Sequence, residues 1–184
     1  YALWKGGAHR EALAAYEKAL SLPYDGRVHL EKILNDMGTS YFELGLYDQA
    51  VSTWSRWLAV VPRNAKFLNN IAVALLEQRR YQEARTYAQR AVDADPMLAS
   101  AYNTLGEISF AERNYTTAAA FFINAIKLET DGAPAYWNAA HALELSGDRE
   151  RALDYARIYQ RMCSDSISKN EAGAYLNALT GNKQ

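Results

Sequence analysis

The sequence predicts an all-α protein, a solenoid of antiparallel helix pairs, and three observations carry that expectation. Ala50, Ala84, Ala118 and Ala152 recur at a constant spacing of 34 residues, and a fixed period of this size is the mark of a repeat architecture. Within each period, apolar and small residues follow the i, i+3, i+4, i+7 rule that gives a helix one buried face. The 184 residues hold only 10 glycines and 4 prolines, few for an all-β chain that turns about every ten residues.

The units can be read in order. Residues 1–30 are the end of a first repeat, with Ala12 phased to Ala50 by the period plus four residues, which places an insertion near Pro23-Tyr24-Asp25-Gly26. That insertion is either a longer loop or an early start to the next helix. Complete repeats follow at 31–64, 65–98, 99–132 and 133–166. Their first helices show Leu34, Met37, Gly38, Tyr41; then Leu68, Ile71, Ala72, Leu75; then Tyr102, Leu105, Gly106, Ser109; then Tyr136, Ala139, Ala140, Leu143. A break comes at Gly45, Gln78-Arg79, Arg113-Asn114 and Gly147, and a second helix then carries the phased alanine. Pro62 and Pro96 stop that second helix, because proline has no N–H for the next backbone bond. Gly38, Ala72, Gly106 and Ala140 let two helix backbones approach closely. Residues 167–184 are expected to form a capping helix and tail, apolar on one side through Ile167, Ala174, Leu176 and Leu179, as a terminal solenoid unit requires. The chain opens Tyr-Ala-Leu-Trp-Lys without an initiator Met and without a cap at that end, consistent with further repeats or another domain upstream.

The pattern Trp-x2-Leu-Gly-x2-Tyr, then Ala-x3-Phe, then Pro, is most complete in residues 31–64, and the sequence there resembles the tetratricopeptide repeat family. The resemblance covers essentially the whole chain. It implies a right-handed superhelix whose first helices line a concave groove and whose second helices lie on the convex side. It also implies that the groove presents Lys32, Asn35, Asp36, Thr39 and Phe42 from one repeat and Lys66, Asn69 and Asn70 from the next. Asn103, Thr104, Glu107 and Phe110 follow from the third, then Trp137, Asn138 and His141.

Two features of that set bear on function. Asn35, Asn69 and Asn103 repeat in register, followed one place on by Asp36, Asn70, Thr104 and Asn138. An amide both donates and accepts, so such a ladder can pair with the backbone of an extended peptide; a similar ladder lines the O-linked N-acetylglucosamine transferase repeats. Its alternative role is packing between units. The groove is also acidic: Asp36, Glu43, Glu77, Glu107 and Glu144 face only Lys32 and Lys66. That balance favours a neutral or basic segment, unless these charges only solubilise the surface.

Other functions are excluded or find little support. The carboxylate clamp that binds chaperone tails needs lysines, an arginine and asparagines at set groove positions; of these only Asn70 is present. Lys and Arg number 20 against 21 Asp and Glu, a net charge of −1, which argues against a nucleic-acid partner. No apolar run approaches the roughly 20 residues a membrane helix needs. Cys163 is the sole cysteine, so no internal disulfide forms, and its expected role is a buried, idle thiol. His141, Glu144 and Glu107 are too few and too open for a metal site, and no cofactor or catalytic motif is present. Trp57 and Tyr159 stand where other repeats carry alanine, either packed in the core or offered to a protein contact. The expected function is therefore a non-catalytic scaffold whose groove holds a segment of another protein. The alternatives are a self-associating structural array and the recruiting arm of a larger enzyme. The phased alanines and short turns fit a bacterial protein, with no compartment legible.

Overall fold

The computed structural model describes residues 9–21, 27–129 and 132–181. Among these residues the chain is all-helical and forms two compact units, Tyr1–Pro96 and Met97–Gln184. The first contains α1 (His9–Ser21), α2 (Arg27–Glu43), α3 (Tyr47–Leu58), α4 (Ala65–Glu77) and α5 (Tyr81–Ala94). The second contains α6 (Ala99–Ala111), α7 (Tyr115–Leu128), α8 (Ala133–Leu145), α9 (Arg149–Met162) and α10 (Ser166–Thr180). Within each unit every helix packs on the next one in sequence.

The α2 helix has 17 residues where α4 has 13, and the extra turn lies at its N-terminal end. Residues 27–30 therefore take the early-start form of the insertion. Pro23 to Gly26 lie outside the described residues.

The turns between paired helices share one geometry. Gly45, Arg79, Arg113 and Gly147 are 34 residues apart and have φ of 72°, 59°, 62° and 93°. In the first of them the Gly45 amide donates to Phe42 O at 2.9 Å and Leu46 to Tyr41 O at 2.9 Å. The pairs Arg113→Phe110 and Asn114→Ser109 repeat this at 2.9 and 2.8 Å. This double bond across a left-handed residue is the Schellman stop, which satisfies carbonyls left over at a helix end. Gly181, one period after Gly147, also has a left-handed φ of 74° and donates to Ala178 O at 3.3 Å. The α10 helix thus occupies the place of a first helix.

The buried side of α10 differs from the expected one. Ala172 and Leu179 are buried, whereas Ile167 is 70% exposed and Ala174 is also exposed. A Leu or Ile contributes to the core only where a neighbouring helix covers it; α9 packs along α10, and Leu179 joins the core cluster of α8 and α9.

The small residues of the first helices work in two ways. At Gly38 a Cβ would lie 2.3 Å from Trp54 Nε1, and at Gly106 it would lie 2.5 Å from Phe122 Cε1. Each glycine lets an aromatic ring from the second helix press flat on the first. In the alternate repeats the same two places hold Ala72 with Ala88 and Ala140 with Ala156, all buried. Close helix approach is thus met in two ways, by one large ring over a glycine or by two facing methyl groups. Trp57 is buried against Phe67, with ring centroids 6.0 Å apart, so its bulk belongs to the core.

Candidate functional site: two cavities on the first-helix face

In the first unit α2 and α4 present a common polar strip. Asn70 Nδ2 donates to Asn35 Oδ1 at 3.4 Å, and Asn35 Nδ2 donates to Asp36 Oδ1 at 3.4 Å. The amides are therefore tied to one another along the ladder. Thr39 donates back to Asn35 O at 2.9 Å. Lys32 and Lys66 are exposed on the same helices. Asn69, expected on the surface of the groove, is only 7% exposed, and its Oδ1 finds no partner among the described residues. Beside this strip lies a cavity of about 130 Å³ lined by Thr39, Phe42, Trp54, Asn70 and Val73.

The second unit carries a cavity of about 340 Å³ lined by Glu107, Phe110, Ala111, Phe122, Trp137, Asn138 and His141. Five of these residues stand 68 positions, or two repeats, after the five that line the first cavity. The plan is the same: an aromatic wall (Phe42, Phe110), an aromatic ring lying over a glycine (Trp54, Phe122) and an asparagine (Asn70, Asn138). Each wall is braced alike, with Phe42 edge-on to Tyr47 and Phe110 edge-on to Tyr115, both at 5.3 Å. What changes is the chemistry. Thr39 gives way to Glu107, Val73 to His141, and the buried Asn69 to Trp137.

Glu107 is oriented by Asn103, whose Nδ2 donates to Oε1 at 2.7 Å. Thr104, also expected to face the groove, is 2% exposed and its hydroxyl donates to Ser100 O at 3.0 Å. It acts within its own helix and is withdrawn from the surface. Trp137 is backed by Tyr159 and Tyr175, with centroids at 4.8 and 5.1 Å, and His141 packs edge-on to Trp137 at 4.4 Å and to Tyr175 at 4.5 Å. Tyr175 reaches over from α10 and donates to Glu144 Oε2 at 2.8 Å. Burial, and then Glu144, push the Tyr175 phenol well above its usual range, so it remains a donor. Burial holds His141 below the ordinary imidazole value despite the pull of Glu144. The neutral form of His141 is thus favoured.

Lys32, Asn35, Asp36, Thr39, Phe42, Lys66, Asn69, Asn70, Asn103, Thr104, Glu107, Phe110, Trp137, Asn138 and His141 all lie on first helices. The structure brings Phe42, Thr39 and Asn70 to one cavity and Glu107, Phe110, Trp137, Asn138 and His141 to the other. It adds Trp54 and Phe122, which belong to second helices and so fell outside a reading confined to first-helix positions. The signal was available, since each large ring is matched by a glycine in the facing helix.

On the opposite side, arginines are largely engaged. Arg80 pairs with Glu83 at 2.7 Å, Arg151 with Asp148 at 3.4 Å and Arg157 with Asp154 at 3.5 Å. Cys163 is buried at the end of α9. Among the described residues no three His, Cys, Asp or Glu side chains are grouped to hold a metal, and no helix is long and apolar enough to cross a membrane.

Paired helices with a Schellman stop between them, repeated every 34 residues, define a helical-hairpin repeat protein. The tetratricopeptide repeat pattern matches residues 35–99 and 80–132, more than half of the chain, and the chain belongs to that family. Protein FlbA of Caulobacter vibrioides is 31% identical over 150 residues, which cover 81% of this chain and 24% of that protein. The chain thus spans about a quarter of the length of this curated relative. Among solved structures, MamA superposes with a TM-score of 0.72 at 22% identity, covering 87% of this chain and 91% of that one. BtubC (BKLC) from P. vanneervenii superposes with a TM-score of 0.74 at 20% identity, covering 87% and 75%. At such identities the likeness shows the fold.

Proposed function

We propose that the chain is a non-catalytic scaffold that holds a segment of a partner protein on the face formed by its first helices. One observation carries this reading: the same cavity, with an aromatic wall, an aromatic floor and an asparagine, occurs twice at a spacing of two repeats. In the alternate repeats the ring and glycine positions are held by buried alanine pairs instead. An asparagine at each rim supplies a donor and an acceptor for a bound backbone, while the rings supply apolar contact. Removing one amide that pairs with a buried peptide group costs about 1–3 kcal/mol of binding.

The test is a paired affinity capture with the chain and with a variant combining Asn70→Ala, Asn138→Ala and Trp137→Ala, both confirmed helical by circular dichroism. A partner retained by the chain and lost by the variant supports the reading. Equal retention by both moves the working surface away from the first-helix face.

A further inference from the structure

We propose that the larger cavity takes an unmodified tyrosine side chain of the bound segment, its hydroxyl hydrogen-bonded to His141. This rests on the groove reading above and names the chemistry of one of its sites. The two cavities differ first in size, about 340 Å³ against about 130 Å³. They differ next in one hydrogen-bonding group, since His141 lines the larger cavity where Val73 lines the smaller. His141 is half-buried, and its ring is held edge-on to Trp137 and to Tyr175. Among the described residues it makes no hydrogen bond. Burial favours its neutral form, which carries one N–H donor and one acceptor nitrogen. An imidazole fixed in place by two rings, lining a cavity and without a hydrogen-bond partner, is suited to meet the polar tip of a guest.

The walls define the body of that guest. Phe110, Phe122 and Trp137 line the same space, and aromatic pairs in edge-on or offset contact gain more than their buried area alone. A phenylalanine would use the rings but would bury His141 without a partner, which is costly. A serine or an amide would meet His141 and leave the rings in contact with water. Tyrosine satisfies both, since its apolar ring ends in a hydroxyl that donates to the imidazole nitrogen. Charge narrows the guest further. The lining holds no lysine or arginine, and neither α6 nor α8 carries one. A phosphorylated tyrosine would bring about two negative charges to a site without a permanent cation. Phosphorylation of the bound segment therefore releases it.

The experiment begins with selection on the chain from a library of randomised dodecapeptides displayed on phage. The most enriched peptide is then made with tyrosine, phenylalanine or phosphotyrosine at its fixed position. Binding is read by fluorescence anisotropy on the chain and on His141→Val, which copies the smaller cavity and is confirmed helical by circular dichroism. The expected result is tyrosine at one fixed position, binding of the phenylalanine peptide weaker by roughly tenfold on the chain, and equal binding of the two by His141→Val. The phosphotyrosine peptide is expected to lose binding to the chain. The comparison of peptides on the chain itself depends on no variant. Another residue at the fixed position, equal binding of tyrosine and phenylalanine by the chain, a tyrosine preference that survives His141→Val, or undiminished binding of phosphotyrosine overturns the pocket assignment. The groove reading survives each of these results when the peptide is lost by the Asn70→Ala, Asn138→Ala, Trp137→Ala combination. Equal binding by that combination, or failure to enrich any peptide, overturns both.

Discussion

Glycine 106 shows how one missing methyl group shapes both packing and surface. A Cβ there would sit 2.5 Å from the Phe122 ring, closer than any carbon contact allows, so Gly106→Ala destabilises by about 1–2 kcal/mol despite alanine's better helix propensity. The sign reverses once the ring is gone. In a Phe122→Ala background the same substitution stabilises by about 1 kcal/mol, because it rebuilds the paired-alanine packing of the neighbouring repeats. A double-mutant cycle by urea denaturation measures this; a destabilising Gly106→Ala in both backgrounds contradicts the pairing of glycine with ring. Arg113 offers the opposite lesson. It holds φ 62° in a turn where Gly45 and Gly147 serve elsewhere, a conformation that costs a side-chain-bearing residue about 1 kcal/mol or more. Arg113→Gly therefore raises stability by about 0.5–1 kcal/mol after the unfolded chain's added entropy is subtracted. A thermal midpoint that falls on this substitution contradicts it.

Among the helices, α4 starts on a side-chain cap. Asn64 accepts from the Phe67 amide at 3.2 Å and donates to Glu31 Oε1 at 3.1 Å, whereas α6 and α8 begin at Leu98 and Gly132 without a side-chain cap. Asn64→Ala is expected to cost about 1 kcal/mol and Asn64→Ser much less, read by denaturant unfolding. The α8 helix supplies a pH response. His141 faces Glu144 on its own helix, Tyr175 on α10 and Glu107 across the cavity on α6. Its folded pKa lies below the ordinary value, so the unfolded chain binds more protons as the pH falls through that value. The stability tied to neutral His141 is complete above the ordinary imidazole pKa and is lost on acidification toward the folded value. Between about pH 7.5 and 5.5, the melting temperature of His141→Asn should fall less than that of the parent. An equal or larger fall refutes this origin.

At the scale of the whole molecule, the period and the helical phase were legible because they depend only on which positions face inward. Gly38, Ala72, Gly106 and Ala140 signal close helix packing in the sequence itself, and Gly45 and Gly147 mark the turns. Asn69 and Thr104 lie on first helices, yet both are buried. Phase assigns a side chain to a sector of the helix, and neighbouring helices decide how much of that sector they cover. The part Trp54 and Phe122 play in the cavities is not legible for a related reason. Their rings cross from a second helix to the first-helix face, and no position on one helix alone reveals that crossing. Ile167 was misassigned because apolar character does not say whether a neighbour is present to bury it.

The central claim, that the first-helix face is the binding surface, is tested most directly by fluorescence anisotropy with one labelled peptide selected on the chain. Its affinity is compared for the chain, for the Asn70→Ala, Asn138→Ala, Trp137→Ala combination, and for an Arg85→Glu, Arg157→Glu variant of the second helices. The account predicts a loss of tenfold or more, about 1.4 kcal/mol or greater, in the first variant and an unchanged affinity in the second. Undiminished binding by the first variant together with loss in the second would place the working surface on the second helices and contradict the account.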